Sequence, residues 1–117
     1  MTETSKKMAR IAYDALDEKL GEEIEVLRID EISIIADYLI IAGGDNPNKI
    51  RALLDIVEEH MAEAGFTPKQ IEGNKNSTWI LMDYGDVIVH IFSKEDRLFY
   101  DLERIWRDGV KTAREDL

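Results

Sequence analysis

The chain has no cysteine among its 117 residues. Disulfides, thiolate metal sites and a thiol nucleophile are therefore excluded, and this fits a reducing compartment. It has 15 basic residues against 25 acidic ones, a formal net charge of -10. Its mean field repels phosphate backbones and attracts basic partners, so direct nucleic-acid binding, specific DNA binding included, is not expected. No long uncharged apolar stretch is present, and the first residues are polar with no apolar signal core. These features predict a soluble, cytoplasmic protein without a membrane segment. Proline occurs twice, and there are no repeats or low-complexity linkers. One domain over residues 1–108 with a polar, frayed tail over 109–117 is the expected organisation.

What is present centres on residues 77–92. Trp79 to Met82 and Val87 to Phe92 are apolar runs flanking Asp83-Tyr84-Gly85-Asp86. Turn residues between β-branched and aromatic runs predict an antiparallel hairpin. The second run hardly alternates, so it should be an interior strand covered on both faces.

Around this hairpin, apolar spacing predicts a helix over residues 5–20 and a strand over 24–29 with charged flanks. Residues 32–36 stay open between a turn and a short helical piece. Residues 38–42 read as a strand running into Gly43-Gly44. A second helix follows, with Asp45 or Asn46 as cap and Pro47 at its first position, ending at Gly65. Residues 66–71 read as a short strand, 73–76 as a turn, and 95–106 as a last helix capped by Ser93. The fold class expected is α/β, with a mixed sheet of about five strands covered by helices.

Several groups invite chemistry. Gly43-Gly44-Asp45-Asn46 before a helix resembles an anion cradle, but no Walker lysine follows and Asp45 opposes a phosphate, so a tight turn is the preferred reading. Asp83 and Asp86 without a third carboxylate make a thin metal site, and turn geometry explains them better. His60, among Glu58, Glu59 and Glu63, is expected in solvent. His90 is expected as a hydrogen-bonded strand residue. Neither has the spacing of a catalytic triad or zinc site. Trp79 and Tyr84 are candidate exposed interface anchors, with sheet packing the alternative; Trp106 is assigned to the core.

Glu72-Gly73, Trp79, Asp83-Tyr84-Gly85-Asp86-Val87, His90-Ile91-Phe92, Arg97, Phe99-Tyr100, Leu102-Glu103 and Ile105-Trp106 form one ordered pattern. Upstream stand Leu27-Arg28-Ile29-Asp30, Ser33, Asp37-Tyr38-Leu39-Ile40-Ile41-Ala42 and Gly44. Together they resemble the ribosomal silencing factor, or Iojap, family over residues 9–106. The departures are local: Ala36 and Gly43 stand where the family usually has Thr, and Asp45-Asn46 where Asn-Ser is common.

The resemblance implies a nucleotidyltransferase-like fold without enzymatic activity or cofactor. It implies a translation repressor that binds the large ribosomal subunit through its fourteenth ribosomal protein. Joining of the small subunit would be blocked when nutrients are short. Carried over by position, the partner-binding residues implied are Asp37, Glu72, Trp79, Asp83, Tyr84 and Asp86. Two alternatives stand beside this: a degenerate nucleotide-binding domain at the Gly43-Gly44 turn, and a homodimer or larger scaffold pairing through the first strand.

Overall fold

Thr2 opens the first helix, α1 (Glu3–Glu18), with a reciprocal cap: its hydroxyl accepts from the Ser5 N–H, and its own N–H donates to the Ser5 hydroxyl. Strand β1 (Glu22–Arg28) and strand β2 (Tyr38–Gly44) follow, then α2 (Pro47–Glu63), β3 (Gln70–Gly73), β4 (Trp79–Asp83), β5 (Val87–Ser93) and β6 (Val110–Lys111). The computed structural model describes residues 2–73, 78–96 and 107–117. Of the turn expected at 73–76, Gly73 instead ends β3; the rest of it, and most of the helix expected at 95–106, Trp106 included, lie outside the described residues. At its start, the Ser93 hydroxyl accepts from the Asp96 N–H as a cap does.

The strands form one mixed sheet in the order β3-β4-β5-β2-β1-β6. It has six strands where about five were expected. Pairing of β2 with β5 is parallel, which requires the crossover that α2 lies on; the other pairs are antiparallel. The apolar run of β5 is an interior strand between β4 and β2, as its lack of alternation predicts.

Period-2 geometry divides the sheet into two faces. Val26, Ile40, Ala42, Ile80, Met82, Val89 and Ile91 meet the apolar stripes of α1 and α2, among them Leu16, Ile50, Leu53 and Val57, in the main core. The opposite face carries a smaller cluster of Leu27, Ile29, Leu39, Ile41 and Phe92, with Trp79 and Ile88 packed against it.

The C-terminal segment corrects one expectation and narrows another. It does not fray: β6 pairs with β1 at Leu27 and Arg28, and the Thr112 N–H donates to the Val26 carbonyl at 2.8 Å. Arg114 grips Asp14 of α1 with two bonds of 2.6 and 2.9 Å, and Leu117 packs on the main core. From Val26 to Arg28 the first strand is consequently an inner strand, so pairing with a second copy through it would be confined to Glu22–Glu25.

Candidate functional site

The hairpin turn is set by its backbone. Tyr84 donates its N–H to the Val87 carbonyl at 2.9 Å, and Gly85 sits at φ 86°, a conformation that other residues adopt with strain. The Asp83 carboxylate accepts from the Gly85 N–H at 2.8 Å, so this acid shapes the turn as well as facing outward.

On the face away from the helices, the β4–β5 register places Trp79 opposite Phe92, Leu81 opposite His90 and Asp83 opposite Ile88. Trp79, His90 and Phe92 form a continuous aromatic ladder with centroid spacings of 5.6 to 6.4 Å. The Trp79 Nε1–H donates to His90 Nδ1 at 3.3 Å, which puts the imidazole proton on Nε2. Burial drives the His90 pKa down to about 4, because the charged ring would be desolvated. His90 is thus a neutral, hydrogen-bonded strand residue. The β3–β4 register sets Glu72 opposite Leu81 and Gln70 opposite Asp83, and the Gln70 amide donates to the Glu72 carboxylate. Glu72, Trp79 and Asp83 therefore share one face.

Asp37 and Asp86 come together at the adjoining end of the sheet. The Asp86 carbonyl accepts from the N–H groups of Asp37 and Tyr38 at 2.8 and 3.1 Å, where β2 and β5 begin side by side. Nearly fifty residues separate the two acids in sequence, and the parallel pairing alone unites them.

Tyr84 is where the structure departs from the expected set. It shares the parity of Ile80 and Met82, so it points to the helix-covered face, and it is only 5% exposed. Burial, with Glu58 adding repulsion, pushes its pKa up to about 12. Its hydroxyl has no hydrogen-bond partner among the described residues. It supports the hairpin from behind and is not an exposed anchor.

The other candidates resolve into structure. Asn46 caps α2 by accepting from the Lys49 N–H at 2.8 Å, and Pro47 takes the first helical position. A Cβ on Gly44 would lie 2.9 Å from Ile50 Cγ1, so this glycine permits close strand–helix packing. The cleft beside it, about 520 Å³, is lined by Glu22, Glu23, Asp45, Gly43 and Lys94, a predominantly acidic set that disfavours a phosphate. His60 binds Glu18 of α1 at 3.0 Å and lies 3.7 Å from Glu63; the Glu18 bond raises its pKa. The cross-helix partner Glu18 was missed because it is 42 residues away, a separation that local charge patterns do not report. Among the described residues, no three His or acidic side chains converge as metal ligands, and no helix is long and apolar enough to cross a membrane.

Comparison with known proteins gives the arrangement its relatives. Residues 2–117 match the profile of the family described as ribosomal silencing factor during starvation. The ribosomal silencing factor of Bacillus subtilis is 37% identical over 104 residues, covering 89% of this chain and 88% of the relative. That of Halalkalibacterium halodurans is 33% identical over 106 residues, 91% of each chain. The chloroplastic Iojap protein of Zea mays is 36% identical over 96 residues, 82% of this chain and 42% of that longer one. Among solved structures, a Chromobacterium violaceum protein superposes with a TM-score of 0.84 at 31% identity, covering 92% of this chain and 88% of that one. With sequence, fold and length all in agreement, the chain belongs to the ribosomal silencing factor family.

Proposed function

We propose that this protein represses translation by binding the large ribosomal subunit through its fourteenth ribosomal protein, so that the small subunit cannot join. Family membership establishes a ribosome-associated regulatory role. The observation that carries the finer reading is the face that gathers Glu72, Trp79 and Asp83, with Asp37 and Asp86 at its end. A half-buried tryptophan among carboxylates suits a basic protein partner: the acids speed encounter, and the indole contributes desolvated contact area. Tyr84 acts from behind this face by fixing the turn that carries Asp83 and Asp86.

The mechanism needs no reaction. A domain bound at the joining surface makes joining cost the free energy of displacing it, about 12 kcal/mol at standard state for a nanomolar factor. Nutrient limitation would be the condition under which occupancy matters most. The test is sedimentation with purified subunits: the protein should travel with large subunits and not with small ones. Equal binding to both, or to neither, would refute the proposal.

A further inference from the structure

Between β1 and β2 the chain makes a loop whose tip is apolar and in water. Ile32 is 46% exposed, Ile35 67% and Ile34 fully so. Isolated apolar residues on a surface need no explanation, but three within four positions, all on one short tip, form a patch that water disfavours. The loop is also pinned. At its foot the Ile29 N–H donates to the Asp37 carbonyl at 2.8 Å. The Ile32 and Ser33 N–H groups both donate to the Ile29 carbonyl, at 3.0 and 2.9 Å. The Ser33 hydroxyl accepts from the Ile35 N–H at 3.1 Å. Ile29 and Ala36 anchor either side of the tip by burial in the same apolar cluster that Trp79 and Phe92 join.

The tip therefore stands ready-formed, and ordering it on binding costs little. Around its foot are Asp30, Glu31, Asp37 and Asp86, partly offset by Arg28, which contacts Asp30 at 3.1 Å and Glu31 at 3.4 Å. A second copy of the chain would bring the same acids against these, which disfavours self-association through the tip. The complementary surface is an apolar pocket bordered by lysine or arginine on a basic protein.

We infer that the Ile32–Ile35 tip is the anchor of the docking surface, seated in such a pocket of the ribosomal partner, with the acids around its foot aligning it. This rests on the large-subunit reading above and assigns it a centre. The foot of the tip lies by the Val87 end of β5, whereas Trp79 stands opposite Phe92, five residues or about 16 Å along the strand. Trp79 already packs on Phe92 and hydrogen-bonds His90, whereas Ile34 and Ile35 touch water and have most to gain from burial.

The test measures the dissociation constant for purified large subunits, with wild type, Ile34→Ser/Ile35→Ser, and a charge control on the far side, Asp55→Asn/Glu59→Gln. Thermal melting of each variant checks the fold, and exposed isoleucines should be replaceable without loss of Tm. The isoleucine variant should bind about thirty-fold more weakly or worse, through faster dissociation. The control should stay within about twofold at moderate salt, as distant charges act mainly on encounter. Wild-type binding that the isoleucine variant retains within about threefold overturns the anchor and leaves the large-subunit reading standing. Absence of binding by wild type itself overturns both.

Discussion

Replacing Tyr84 by phenylalanine should stabilise the protein. The ring is 5% exposed and packed in the main core, and its hydroxyl is buried without a partner among the described residues. A buried, unsatisfied hydroxyl costs about 1–3 kcal/mol, so deleting that oxygen while keeping the ring should return part of it. For a chain of this length each kcal/mol raises Tm by roughly 4 °C. Tyr84→Ala should instead cost about 3–5 kcal/mol, the range for emptying a buried aromatic site.

An alkaline signature accompanies this. The folded pKa of about 12 lies above the ordinary tyrosine value of 10.0, so the unfolded chain loses its proton first. The stability tied to the protonated phenol is complete below pH 10 and is lost as pH rises through 12, at about 1.4 kcal/mol per pH unit in that window. Tyr84→Phe should lack this component, so the stability difference between the two proteins should widen with pH. Urea melts of both proteins from pH 8 to 11 measure it. Destabilisation of the phenylalanine variant by more than about 1 kcal/mol at pH 8, with no widening, would refute the reasoning and mean that the hydroxyl is held by a hydrogen bond.

The His60–Glu18 bond between helices raises the His60 pKa; its stabilisation is present below the ordinary value of 6.5 and is lost as pH rises through the raised one. Glu18→Gln should bring the His60 titration, followed by its ring proton resonances, back toward 6.5. Gly44→Ala should cost about 1–3 kcal/mol by forcing strand and helix apart at Ile50, read as a fall in denaturation midpoint without change in slope. Truncation after Gly109 removes β6 and the Arg114–Asp14 bonds, and should lower Tm by several degrees and speed amide exchange along β1, the strand it uncovers. Unchanged exchange at Arg28, whose N–H lies on the β6 side of the strand as the Val26 carbonyl does, would show that the tail adds nothing to that edge.

Much of this was legible locally. The second helix announced itself through Asn46, Pro47 and its apolar stripe, and the hairpin through Asp83-Tyr84-Gly85-Asp86 between two apolar runs. The facing of Tyr84 was legible too, since it keeps the parity of Ile80 and Met82; its place beside turn residues suggested exposure more strongly than the period-2 rule suggested burial. Other features depend on partners far away in sequence. Val110 and Lys111 become a strand only because β1 offers unpaired groups to them, and nothing in so short and polar a segment has strand character of its own. The meeting of Asp37 with Asp86 follows from parallel pairing across a long crossover, and the Trp79–His90 bond from a register set by the turn. The loop at 32–36 resisted assignment because its isoleucines face water rather than core, so their spacing follows neither period.

The central claim is that occupancy of the large subunit prevents joining. The direct measurement is light scattering as small subunits are mixed with large subunits preincubated with increasing amounts of the protein. The amplitude of joining should fall in proportion to large-subunit occupancy, to near zero at saturation, while preincubation with small subunits alone should have no such effect. Full joining at saturating occupancy of the large subunit would contradict it.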